Sequence, residues 1–132
     1  MTYRFLRCWV DGGVLGRNPS PNGVYWSAFI SDGPTAVPVI LRKRSTEYHT
    51  NQDAEWLAVH EALSWAVHSK IDQPVVIHSD SKFVVYQFNG MNQVHLERHR
   101  SLFEACKDLA TQLPWVALKW VPRDEIVAKV GH

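Results

Sequence analysis

Apolar residues alternate with polar ones in the early part of the chain and recur at every third or fourth position further on, so strands come first and helices follow. Over residues 3–11, Leu6, Cys8 and Val10 fall on one face, and the run stops at Asp11-Gly12-Gly13. This predicts a strand that ends in a carboxylate. Turn formers fill Gly16 to Gly23, and alternation resumes from Val24 to Ser31 through Val24, Trp26, Ala28 and Ile30, which predicts an antiparallel hairpin. After a turn at Asp32-Gly33-Pro34, a third strand is expected over 36–44, and Pro38 confines it to a sheet edge. Its basic end, Arg42-Lys43-Arg44, reads either as charge guarding that edge against aggregation or as a phosphate contact.

The spacing changes at Thr50. Ala54, Ala58, Ala62, Trp65 and Ala66 recur at helical intervals up to His68, with Thr50 as cap and Asp53 at the third helical position. The small residues suit close approach to a sheet, and Glu55 lies beside the apolar stripe. From Val75, bounded by Pro74, a short apolar run is expected as a strand buried on both faces that ends in a carboxylate, Asp80. Ser81 can then cap a short helix ending at Asn89-Gly90. A longer helix is predicted over 94–112, with Leu102, Phe103, Cys106, Leu109, Ala110 and Leu113 as its stripe. Trp115 to Val121 reads as another buried strand, and Pro122 precedes a terminal helix beginning near Arg123. Strands joined by turns favour a meander and strands joined by helices favour parallel pairing. The expected fold is therefore an α/β mixed five-stranded sheet, three strands antiparallel and two parallel, with helices on both faces.

Composition narrows this reading. The chain has 132 residues and 45% apolar content without biased segments, enough for a single domain over 1–132. A formal charge of +1 neither advertises nor excludes a polyanion partner. Cys8 and Cys106 are expected as buried thiols, which fits a reducing cytoplasm. No signal peptide, lipidation motif or apolar run near 18 residues is visible, so no membrane role is expected.

In an open α/β sheet, ligands bind outside the carboxyl ends of the central strands, where the predicted topology gathers Asp11 and Asp80. Asp11-Gly12-Gly13 after the first strand, Thr50-Asn51-Gln52-Asp53-Ala54-Glu55 opening the first helix and Ser79-Asp80-Ser81 closing the fourth strand resemble the three signature blocks of the type 1 ribonuclease H family. Gly16 to Gly23 resembles that family's first hairpin turn, and Trp120-Val121-Pro122-Arg123 the start of its last helix. The resemblance implies cleavage of the RNA strand of an RNA–DNA hybrid.

The residue types suit that chemistry. Hydrolysis places charge on a pentacoordinate phosphorus, which carboxylates alone would repel. Two divalent ions about 3.5 to 4 Å apart can activate the attacking water and stabilise the leaving oxygen. Oxygen ligands select hard cations, so Mg²⁺ is expected, with Mn²⁺ as substitute. By resemblance, Asp11 bridges both ions, and Glu55 and Asp80 complete the first site. The plain alternative is that all three are ordinary strand-end and cap carboxylates. The chain departs from the family at its end: aligning Ala128 puts Lys129 where the family carries a fourth carboxylate. His132, one turn on, is the candidate replacement, with Asp124 or Glu125 if the helix start is shifted. Otherwise nothing fills the place, and the substrate helps to hold the second ion.

Telling RNA from DNA means reading the 2′-hydroxyl, and amides both donate and accept. Asn51 and Gln52 are the candidates at the family's substrate-contacting positions. Gly12 and Gly13 allow close backbone approach to the sugar-phosphate chain, and Asn18 either contacts it or serves the turn. The basic protrusion of many relatives is missing, since only Met91-Asn92-Gln93 separates Gly90 from Val94. Weak, salt-dependent binding is expected, or affinity supplied by a replication protein such as a polymerase or helicase. The first reading is a compact monomeric endonuclease, cytoplasmic or in a host cytoplasm if viral. The alternatives are a nucleic-acid-binding or scaffold domain with weakened catalysis, and a DNA-cutting relative of the same fold.

Overall fold

The computed structural model describes residues 5–33 and 36–131. Four positions used in the sequence reading, Tyr3, Arg4, Pro34 and His132, lie outside the described residues. The elements run β1 (Leu6–Val14), β2 (Val24–Ser31), β3 (Val39–Ser45), α1 (Asn51–His68), β4 (Val75–Ser79), α2 (Lys82–Phe88), α3 (Glu97–Ala110), β5 (Val116–Trp120) and α4 (Arg123–Val130). The strands form one sheet in the order β3-β2-β1-β4-β5. β1 and β3 flank β2 antiparallel, while β4 lies parallel to both β1 and β5. This is the mixed sheet that the pattern predicts.

Helix α1 forms where its cap directs. The Thr50 hydroxyl accepts from the Asp53 backbone, and the Asp53 carboxylate accepts in return from the Thr50 backbone. Ala54, Ala58, Ala62 and Ala66 are fully buried against the sheet, with Trp56, Val59 and Leu63 filling the core around them. A Cβ on Gly12 would run into the backbone carbonyl of Ala54, so the absence of a side chain there lets α1 sit directly on β1. The helix ends in a wrap, Lys70 N–H to Val67 O and Ile71 N–H to Ala66 O, with Lys70 itself at φ 55°. That left-handed position is one glycine usually fills.

The structure changes several of the expected elements: β3 begins at Val39, after Pro38 rather than through it, and β4 ends at Ser79, one residue before Asp80. β1 does not stop at Asp11, because β2 continues the antiparallel ladder as far as Val14↔Val24. Its parallel partner β4 has already ended, with Trp9↔His78 the last pair. Asp11 is thus mid-strand on one side and past the end of the neighbouring strand on the other. β5 is not buried but is the outer strand: only its Leu118 is buried, and Trp120 is exposed. α3 begins at Glu97, later than 94, and it ends at Ala110, with Leu113 buried beyond the helix.

The main core lies between the sheet and α1, closed by α3. A smaller one lies on the opposite face, where Trp9 meets Val121, Ile126 and Val130, with Phe29 against it. This second cluster seats α4. The Trp9 indole N–H donates to Glu125 at 2.9 Å, and Arg42 donates to the last-turn carbonyl of Val130 at 3.0 Å.

Candidate active site

The register places the first two carboxylates. Since Trp9 faces His78 across the parallel ladder, two further residues bring Asp11 level with Asp80, on the same face and about one strand spacing away. Trp120 fixes the second of these by donating its indole N–H to the Asp80 carbonyl at 3.2 Å. Ser81 then caps α2, its hydroxyl accepting from the Val84 backbone. Glu55 comes from α1, whose seat on Gly12 brings its second turn to the same edge. One carboxylate oxygen from each of Asp11, Glu55 and Asp80 lies within 4.8 Å of the others.

The electrostatics of this cluster are strained by burial. Glu55 is 9% exposed. Its carboxyl is held well above the usual range by burial first, then by the charges of Asp11 and Asp80, against smaller opposing effects from the Gly12 backbone and Arg123. Its Oε2 is buried with no hydrogen-bond partner among the described residues. A buried carboxylate oxygen without a donor, beside two more carboxylates, is costly unless a cation joins it. The all-oxygen donor set therefore fits a hard divalent ion.

One cation already present in the chain was not expected from the sequence. Arg123, the first residue of α4, places Nη1 at 2.9 Å from Asp11 Oδ1 and 3.0 Å from Asp80 Oδ2. Burial works against its charge, but the hydrogen bond and charge of Asp80 and the charge of Asp11 outweigh it, so its basicity is raised. The sequence signal was only the Pro122-Arg123 start of a helix. Nothing local marks a contact across 112 positions.

The proposed substrate residues surround the carboxylates. Asn18, Asn51, Gln52, Glu55, Asp80 and Arg123 line one open cavity of about 610 Å³, with Gly12 and Gly13 in its floor. Asn18 has a local task as well, accepting from the Asn51 backbone at 3.2 Å and so tying the hairpin turn to the start of α1. Gly13 lies beneath the Tyr25 ring.

The fourth-ligand candidates do not join this group. Glu125 is engaged by Trp9, and neither it nor Asp124 belongs to the cluster found among the described residues. Lys129 lies with its ammonium 4.6 Å from the Trp9 ring centroid. His132 lies outside the described residues. The basic end of β3 is divided: Lys43 pairs with Glu61 at 3.0 Å and Arg42 holds α4.

A buried polar knot that the sequence reading also missed supports the start of α1. Asp53 accepts from Arg98 at 2.7 Å and pairs with His99 at 2.6 Å, and both Asp53 and His99 are buried. Burial raises the Asp53 carboxyl, but hydrogen bonds with Arg98, Thr50, His99 and the His49 backbone prevail and leave it below its ordinary value. Cys8 and Cys106 are free and buried, as expected, and burial pushes both thiols up to about 12. Among the described residues no helix is long and apolar enough to cross a membrane.

Comparison with known proteins places this fold. A family model described as reverse transcriptase-like matches residues 30–128. The N-terminal RNase H domain of Rv2228c from Mycobacterium tuberculosis, solved as a fusion with maltose-binding protein, superposes with a TM-score of 0.84 at 24% identity, over 96% of this chain and 88% of that one. RNase H1 from the halophilic archaeon Halobacterium salinarum NRC-1 gives 0.81 at 20% identity, over 92% and 89%. LC11-RNase H1, solved in complex with an RNA/DNA hybrid, gives 0.78 at 21% identity, over 94% and 90%. A search of curated protein sequences found no match.

Proposed function

The chain belongs to the reverse transcriptase-like family and has the ribonuclease H fold, and on that premise we propose that it is a metal-dependent endonuclease cutting the RNA strand of RNA–DNA hybrids. The observation that carries the reading is the convergence of Asp11, Glu55 and Asp80 at the end of β4, with one Glu55 oxygen buried and lacking a hydrogen-bond partner among the described residues. LC11-RNase H1, a fold relative, was solved on an RNA/DNA hybrid, and hybrid is the substrate class proposed here.

In this reading Asp11, Glu55 and Asp80 hold Mg²⁺, with Mn²⁺ as substitute, and two such ions would supply an activated water and charge neutralisation at the leaving oxygen. The chain's own groups do the rest. Asp11 in β1 and Asp80, just past the end of the neighbouring β4, present oxygens at a set separation. Asn51 and Gln52, exposed at the first turn of α1 beside Glu55, offer amides that can both donate to and accept from a 2′-hydroxyl. Gly12 and Gly13 line the same cavity, but the space a side chain would take is filled by Ala54 and by the Tyr25 ring, so their part is to let α1 and Tyr25 close on β1 beside the carboxylates.

A second reading, a binding or scaffold domain with weakened catalysis, is favoured by Lys129, which rests on Trp9 and adds no carboxylate. One experiment separates them: end-labelled hybrid incubated with Mg²⁺, Mn²⁺ or EDTA, beside Asp80→Asn. Cutting confined to the RNA strand, abolished by EDTA and reduced by roughly a hundredfold or more in Asp80→Asn, supports the nuclease. Binding without cleavage in either metal leaves the scaffold.

A further inference from the structure

We propose that Arg123 is a built-in counter-cation which a divalent metal ion must displace from Asp11 and Asp80, so that metal loading and release of Arg123 are one exchange. This rests on the reading of Asp11, Glu55 and Asp80 as cation ligands, and it concerns what keeps that site charge-balanced when no ion is bound.

The geometry is specific. A single nitrogen, Nη1, touches one oxygen of each aspartate, 2.9 Å from Asp11 Oδ1 and 3.0 Å from Asp80 Oδ2. That is a position between two carboxylates, where a shared cation would sit. An ion bound to those oxygens and a guanidinium donating to the same oxygens exclude each other by charge as well as by space. Asp11 is 1% exposed, and its Oδ1 faces the guanidinium.

The helix carrying Arg123 is built to stay while the side chain leaves. α4 is held from below by Trp9 to Glu125, by Arg42 to the Val130 carbonyl and by the buried side chains of Ile126 and Val130. None of these contacts uses Arg123. Its side chain is 56% exposed, and Asp11 and Asp80 are its ion-pair partners among the described residues. Release therefore needs a rotamer change at the first position of a fixed helix and no movement of the sheet. After release the positive charge remains in the same cavity, which Arg123 lines.

The exchange sets a sign that a scaffold role does not share. If Arg123 only propped up the carboxylates, removing it would loosen the site and weaken metal binding. If it competes, removing it strengthens binding. Two ion pairs made by one half-exposed arginine correspond to roughly a fivefold change in affinity.

The test titrates Mn²⁺ alone into the full chain by calorimetry for the wild type, Arg123→Gln and Arg123→Lys, with thermal melts in EDTA to show that each is folded. The expected result is Mn²⁺ binding about fivefold tighter in Arg123→Gln, with Arg123→Lys closer to wild type because the charge is kept. Equal or weaker binding in Arg123→Gln, with normal binding in the wild type, overturns the exchange and leaves the nuclease reading intact. If no variant binds Mn²⁺, the carboxylates are not cation ligands and both fail. Tighter binding in Arg123→Gln without cleavage of hybrid by the wild type sustains the exchange and removes the nuclease.

Discussion

Replacing Asp53 by alanine tests whether the start of α1, and with it the placement of Asn51, Gln52 and Glu55, depends on the buried knot behind it. The carboxylate accepts from the Thr50 backbone at 3.2 Å, from Arg98 at 2.7 Å and from His99 at 2.6 Å. Losing its half of the capping box costs about 1 kcal/mol. The Arg98 pair adds up to about 1 kcal/mol, discounted because that arginine is half exposed. Leaving the buried His99 ring without a partner costs about 2 kcal/mol. The total, about 4 kcal/mol, is a large part of the roughly 5–15 kcal/mol that holds a domain folded. In urea unfolding followed by circular dichroism, this lowers the midpoint by about 2 M at an unchanged slope of roughly 2 kcal/mol per M. Asp53→Asn removes less, because the amide oxygen still accepts, while the amide nitrogen has to face groups that donate to the carboxylate. The sign with pH is fixed: a carboxyl lowered on folding gives stability that is present above its ordinary value near 3.8 and lost as pH falls through the lowered one. The acid limb of the wild type should therefore be steeper than that of Asp53→Asn. A loss below about 1 kcal/mol in Asp53→Ala, or identical acid limbs, would refute the assignment of this knot as the support of α1.

Two further outcomes follow from the same structure. Lys70 holds a left-handed backbone at φ 55° in the wrap after α1, so Lys70→Gly should stabilise by about 0.5–1 kcal/mol, raising Tm by about 2–4 °C in a thermal melt. Glu55, raised on folding, gives stability that is complete below its ordinary 4.5 and lost as pH rises through the higher folded value. In EDTA, Glu55→Gln should thus melt above the wild type at pH 8, and the gap should close toward pH 4.5, while Mn²⁺ should stabilise only the wild type.

What the sequence made legible was set by neighbours along the chain. β2 was bounded correctly because alternation from Val24 to Ser31 lies between turn formers, and α1 because Thr50 and Asp53 announce a cap three residues apart. The three carboxylates were picked out because Asp11 and Asp80 follow apolar strand runs and Glu55 stands near the start of a capped helix, and parallel strands carry such positions to one edge. The features that were missed depend on partners far along the chain. Arg123 meets Asp11, His99 meets Asp53 and Glu125 meets Trp9 across separations that no periodicity records. Gly12 and Gly13 were read as the end of β1, whereas their missing side chains serve Ala54 and Tyr25 and the strand runs on. The run from Trp115 to Val121 was read as a buried strand, but β5 is the outer strand, and its Trp120 binds the Asp80 carbonyl through its indole and lies under Lys82.

Lys129 over Trp9 also limits how this chain could change by descent. Its residue type alone suggests an acidic ligand lost through one substitution and recoverable through another. Its surroundings say otherwise, because the ammonium lies 4.6 Å from Trp9 and 5.7 Å from Phe29, and Glu125, one turn earlier, already takes the Trp9 indole N–H. An aspartate introduced there would set a second acid beside Glu125 and remove the cation from the aromatic wall. Lys129→Asp would therefore weaken the seat of α4 by about 0.5–1 kcal/mol, the worth of an exposed cation over a ring, before it could supply a ligand.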